Sequence, residues 1–126
     1  MSIDLLNEQK QFVDRVAKGE FVEVMEDYYT DDVYQIEGNG ERRESKAAII
    51  AFEKEFLTKV SAFNGVEIGA IGVGEDDGAG NGVTFAEYAI DAELADGSKF
   101  TPRQVQVTHW REGKIAALRY YYDPAF

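Results

Sequence analysis

At Ser61 the periodicity of the chain changes from that of helices to that of strands, and this change decides the fold class. Upstream, Leu5, Leu6, Phe12, Val13 and Val16 recur at helical spacing and mark a first helix that ends at Gly19. Phe21, Val24, Met25 and Tyr28 mark a shorter second helix beginning at Glu20. Thr30, Asp31 and Asp32 break it, because Asp side chains bond local backbone groups in place of helical partners, and a strand over residues 33–37 follows. A polar loop over residues 38–44 leads to Ser45, an N-cap. A third helix over residues 45–60 then carries Ile49, Phe52, Phe56, Leu57 and Val60.

Downstream, strands are predicted over residues 66–73, 83–94, 103–111 and 115–122. Asp96-Gly97 and Glu112-Gly113 supply tight turns, and the glycine-rich residues 74–82 read as a long mobile hairpin loop. Helices first and an antiparallel meander after them make an α+β chain.

Alternation then assigns faces. Gln104, Gln106, Thr108 and Trp110 share the side toward the helices, and Val105, Val107, His109 and Arg111 share the other. In the last strand Ala116, Leu118, Tyr120 and Tyr122 oppose Ile115, Ala117, Arg119 and Tyr121. A sheet that covers one face with its own helices and still carries Val105, Val107, Ile115 and Tyr121 on the second buries that second face against another subunit, so a homodimer through the outer sheet face is expected.

With 126 residues the chain has the length of one domain, residues 1–126. The absence of cysteine excludes disulfides, thiolate chemistry and Cys-based metal sites. One histidine among scattered carboxylates does not make a metal cluster, and no cofactor is implied. A net charge of -11 opposes binding to phosphate backbones or anionic lipid, and the one basic dipeptide, Arg42-Arg43, is flanked by Glu41 and Glu44. Neither nucleic acid nor membrane is therefore an expected partner. No apolar run approaches the roughly 20 residues that span a bilayer. The segment from Asp4 to Phe12 has neither a basic nor an apolar targeting region, and a cytoplasmic location is expected.

Gly19-Glu20 between the first helices, Tyr29-Thr30-Asp31-Asp32-Val33, Ser45-Lys46-Ala47-Ala48-Ile49, and the closing run from Arg111-Glu112-Gly113-Lys114-Ile115 to Tyr121-Tyr122-Asp123 carry a resemblance over nearly the whole chain. The chain resembles the nuclear transport factor 2-like superfamily, which includes ketosteroid isomerases, SnoaL-like polyketide cyclases and many small proteins without assigned activity. The resemblance implies a cystatin-like, cone-shaped α+β barrel with three N-terminal helices in the concave face of a curved antiparallel sheet. It puts Glu37 where ketosteroid isomerase has its catalytic aspartate base, Phe12 at the place of an oxyanion-hole tyrosine, and Gln106 near that of its second acid.

Two function classes stay open. In the first, Glu37, desolvated between helices and sheet and so raised in pKa, is the general base of an isomerase, cyclase or hydrolase acting on a hydrophobic carbonyl compound, with Gln106 or a tyrosine hydroxyl stabilising the oxyanion. Phe12, Tyr88, Trp110, Tyr120 and Tyr122 then line an apolar pocket for a small hydrophobic molecule. In the second, Glu37 is a solvated strand end, the aromatic residues fill the core, and the chain is a non-catalytic ligand-binding or dimerisation module. His109 reads as an outer-face residue near Glu87, Asp91 or Glu93, and Asp123 as a terminal cap that is similar to a closing acid of SnoaL-like proteins.

Overall fold

A computed structural model describes residues 2–123. The elements run α1 (Leu5–Ala17), α2 (Phe21–Tyr28), β1 (Tyr29–Ile36), β2 (Arg42–Glu44), α3 (Lys46–Leu57), β3 (Val60–Asp76), β4 (Gly82–Leu94), β5 (Lys99–Phe100), β6 (Arg103–Arg111) and β7 (Lys114–Tyr122). Asp4 caps α1 by accepting from the Asn7 amide, and Leu5, Gln9, Phe12, Val13 and Val16 form its buried stripe. Ser45 caps α3 by accepting from the Ala48 amide at 3.2 Å. The third helix stops at Leu57, so Val60, expected within it, opens β3 instead.

The strands form one curved sheet in the order β2-β1-β7-β6-β4-β3, with β5 alongside β4. Three helices on a curved sheet give the expected α+β class. All pairs are antiparallel except β1 with β7, which makes the sheet mixed. Tight-turn signals fix the direction of consecutive strands, but they are silent on a pair that meets across most of the chain. β2, expected as loop, is held to β1 through Gln35 and Arg43. β3 is far longer than residues 66–73, and four register breaks against β4 bend it around the helices.

Two outer features differ from the alternation. His109 pairs with Ala117 but Trp110 pairs with Ile115, so Ala116 is an extra, bulged residue. The bulge turns Ile115 inward, where it is fully buried, and removes it from the outer face to which strict alternation assigned it. The expected mobile loop over residues 74–82 is also shorter and is anchored. Gly74 to Asp76 belong to β3, and Gly82 opens β4. The Asp77 carboxylate accepts from the Ala79 and Asn81 amides. Asn81 Oδ1 accepts from the Glu112 amide, and the Gly80 carbonyl accepts from Gly113. Gly80 is buried at φ +95, and a Cβ there would overlap the Gly113 backbone nitrogen.

The core gathers α1, α2 and the inner face of the sheet. Tyr28 stands edge-on to Phe12 at 5.5 Å and to Trp110 at 6.0 Å, which seals the α1–α2 end. Among the described residues no helix is long and apolar enough to cross a membrane.

Candidate functional site

Between the helices and the other end of the sheet the side chains leave a cavity of about 280 Å³, close to the lower end of small-molecule pockets. Its apolar walls come from Phe12 and Val16 of α1, Phe21, Val24 and Met25 of α2, Phe56 and Leu57 of α3, Phe63 of β3 and Phe100 of β5. Phe56 and Phe100 pack at 4.9 Å, joining α3 to the short β5. The mouth lies between α3 and the β1–β2 turn, where the lining residues Asn39, Glu41 and Phe52 are exposed.

Glu37 follows the last residue of β1 and enters this cavity with its carboxylate fully engaged. Arg43 Nη1 stands 2.7 Å from Glu37 Oε1, Gln35 Nε2 donates to the same oxygen at 2.5 Å, and the Tyr122 hydroxyl donates to Oε2. Backbone pairing of Gln35 with Arg43 sets this geometry, since it brings the β2 guanidinium beside the strand end. Arg43 also binds Glu41 at 2.9 Å and lies 3.6 Å over the Phe52 ring, which ties the hairpin to α3. Gly38 permits the arrangement, because a Cβ there would overlap the Tyr122 ring.

A second carboxyl, Glu53 of α3, faces the same space. Burial, and after it the negative charge of Glu37, pushes it up to about 7, while Arg43 offsets part of the rise. No described residue donates a hydrogen bond to it. The sequence reading left Glu53 out, yet a signal was present. It stands four residues after Ile49 and three before Phe56, a charged position within the helix's apolar stripe.

The phenols of Tyr29, Tyr88 and Tyr120 lie deeper, and burial pushes all three up. Tyr122, nearer the mouth, is raised by burial and by its bond to Glu37. Gln106 is fully buried behind this wall and donates both amide hydrogens into it, to the Tyr88 and Tyr120 hydroxyls at 3.1 Å each. Its Oε1 accepts from Gln9 at 3.2 Å and from Thr108 at 2.9 Å. Gln9 accepts in turn from Thr84, which accepts from Trp110 Nε1. Tyr88 also bonds Gln104 and Tyr120, and Tyr29 bonds Tyr120, so the phenols form one connected wall that Gln106 supports from behind.

Of the residues singled out from sequence, Glu37, Phe12, Tyr88, Tyr120 and Tyr122 line one cavity. Gln106 stands one layer behind it. Trp110 is on the predicted face but at the far end of β6, packed on Tyr28 in the core and not on the cavity. His109 is exposed on the outer face opposite Val83 and Ala117. Among the described residues no group of three His, Asp or Glu side chains is placed to hold a metal ion. The arrangement is a fixed anion, a carboxyl that exchanges its proton near neutral pH, and phenol donors in an apolar chamber. Such a set can move a proton and stabilise a developing oxyanion.

No protein-family model matches the chain, and no curated protein does. Solved structures do. A Mesorhizobium loti protein provisionally named a SnoaL-like polyketide cyclase superposes with a TM-score of 0.77 at 20% identity, over 95% of this chain and 100% of that one. An NTF-2 like protein of unknown function from Burkholderia xenovorans LB400 gives 0.70 at 20% identity, over 96% and 84%. A Pseudomonas putida KT2440 protein provisionally named a polyketide cyclase gives 0.68 at 19% identity, over 90% and 87%. At these identities the similarity establishes the fold, which is the nuclear transport factor 2-like one, and leaves the chemistry to the site.

Proposed function

We propose that this chain, acting as one domain, is a small-molecule cavity protein that transfers a proton on a hydrophobic carbonyl compound, in the manner of an isomerase or cyclase. The observation that carries this reading is the meeting of two carboxyls, Glu37 and Glu53, with the phenols of Tyr88 and Tyr120 in one apolar cavity. A carbonyl oxygen bound to those phenols would leave its neighbouring carbon toward the carboxyl end, which is the geometry proton abstraction requires.

A non-catalytic binding module is the second reading. It is favoured by one observation, that Arg43, Gln35 and Tyr122 already occupy the Glu37 carboxylate. β-Tetralone, a bicyclic ketone with acidic hydrogens beside its carbonyl, separates the two. In deuterated buffer the proton-transfer reading expects the protein to bind it, with NMR shifts at Tyr88 and Tyr120, and to speed exchange of those hydrogens above the buffer rate. Binding without faster exchange favours the module, and no binding removes both.

The same proposal includes pairing with a second copy through the outer sheet face, where Phe85 is 41% and Tyr121 52% exposed beside the partly buried Val105 and Val107. Light scattering is expected to give twice the 14.1 kDa chain mass, and Val107→Glu to halve it. A monomer at micromolar concentration would remove the dimer and leave the cavity reading intact.

A further inference from the structure

We infer that Glu53 is the group that exchanges the proton with the ligand, and that Glu37, clamped by Arg43, Gln35 and Tyr122, is a positioning residue whose fixed negative charge acts on Glu53 across the cavity. The inference rests on the proton-transfer reading and assigns its base.

The two carboxyls share a cavity and differ in partners. Glu37 receives a guanidinium, an amide and a phenol, so its oxygens are already committed to charge-assisted bonds. Glu53 receives no hydrogen bond from any described residue, and gaining or losing a proton breaks nothing around it. The charged and titratable groups acting on it are Glu37 beyond β1, Arg43 of β2, Tyr29 of β1 and Tyr88 of β4. Arg43 is already shared between Glu37 and Glu41. Burial and Glu37 therefore prevail, and Glu53 changes charge at about 7, where both an acid and its conjugate base are populated.

In the step itself the Glu53 carboxylate takes a proton from the carbon beside the ligand carbonyl. The C–H electron pair becomes the carbon–carbon double bond, and the carbonyl π pair moves to oxygen, where the Tyr88 or Tyr120 hydroxyl donates to the enolate. Protonated Glu53 then returns the proton to carbon, and no outside reactant is consumed.

Nitrobenzisoxazole tests the assignment without the natural ligand. A carboxylate base removes its ring C–H proton, the electron pair forms a nitrile, the N–O bond breaks, and the charge leaves on a coloured phenolate oxygen. Wild-type turnover is expected to rise with pH through about 7. Glu53→Gln should lower it about a hundredfold while still binding β-tetralone. Glu37→Gln should move the midpoint of the turnover that remains to lower pH, because the charge opposing ionisation of Glu53 is gone. The reverse result, turnover lost with Glu37→Gln and kept with Glu53→Gln, overturns the assignment and leaves proton transfer standing with Glu37 as base. A wild type that binds the probe and does not turn it over overturns both. Should Glu53→Gln not fold, carbon-detected NMR of wild-type Glu53 reads the same claim. Its titration midpoint is expected to shift when β-tetralone enters, and a midpoint unmoved by bound ligand overturns the inference.

Discussion

Gln106→Leu is expected to lower the unfolding free energy by about 3 to 5 kcal/mol, a large effect for one nearly isosteric side chain. Gln106 is fully buried and uses every polar capacity it has, with two donors to Tyr88 and Tyr120 and two bonds accepted from Gln9 and Thr108. Leucine fills the space but leaves a buried amide and a buried hydroxyl without their acceptor, and takes one donor from each of two phenol oxygens, of which Tyr88 keeps its bonds with Gln104 and Tyr120. Each orphaned group costs about 1 kcal/mol or more, and the loss spreads because Gln9 also anchors Thr84 and, through it, Trp110. Thr108→Val removes one hydroxyl from the same oxygen and should cost about 1 kcal/mol. Denaturant unfolding of both variants, with the slope on denaturant unchanged, measures the difference. A loss for Gln106→Leu no larger than that for Thr108→Val would mean that water or the phenols themselves take over its bonds. β-Tetralone affinity should fall in Gln106→Leu as well, since the phenols that face the cavity lose the amide that aims them.

Much of this architecture was legible because the signals are local. The spacing from Leu5 to Val16 shows the buried stripe of α1, Ser45 caps α3 as a side-chain acceptor should, and Gly97 and Gly113 take the positive φ that their turns demand. What was not legible depends on pairings between distant segments. Nothing in residues 29–36 or 114–122 says that the two strands run parallel, and nothing in Ala116 announces a bulge, yet that single residue moves Ile115 from the outer face into the core.

The site shows the same division. Alternation gives the face a residue occupies but not its position along the strand. Gln104 reaches the cavity, Gln106 stands behind it and Trp110 is buried beyond it, although all three share one face of β6. Glu37 was legible from its place at a strand end. The donors around it come from β2 and β7, and only the fold brings Arg43 and Tyr122 to it. Glu53 is not legible from apolar periodicity, which marks the buried face of α3 through Ile49 and Phe56 and says nothing of a charged residue set between them.

Glu53 also predicts how stability responds to pH. Its carboxyl is raised from 4.5 to about 7 by burial and by Glu37, so between those values the folded state holds a proton that the unfolded chain has released. Stability from this group is fully present below 4.5, falls as pH rises, and is lost above about 7. The drop should be on the order of 3 kcal/mol. The surface carboxylates pull the other way and in a different window. Asp32, Asp77 and Asp96 are lowered by hydrogen bonds from Arg111, Asn81 and Ser98 respectively, so their contributions fade only as pH falls below the usual aspartate range. Wild-type stability is therefore expected to be greatest near pH 5 and to decline toward pH 8. Glu53→Gln carries no titrating proton, so its profile should be flat over that window and it should be more stable than wild type at pH 8. Glu37→Gln should show a shallower decline than wild type, because removing the repelling charge brings Glu53 back toward 4.5. Thermal or denaturant unfolding at a series of pH values reads all three profiles. Parallel wild-type and Glu53→Gln curves would mean that Glu53 is charged in the folded cavity at neutral pH, and that water or a shift of α3 has relieved the burial on which its proton affinity depends.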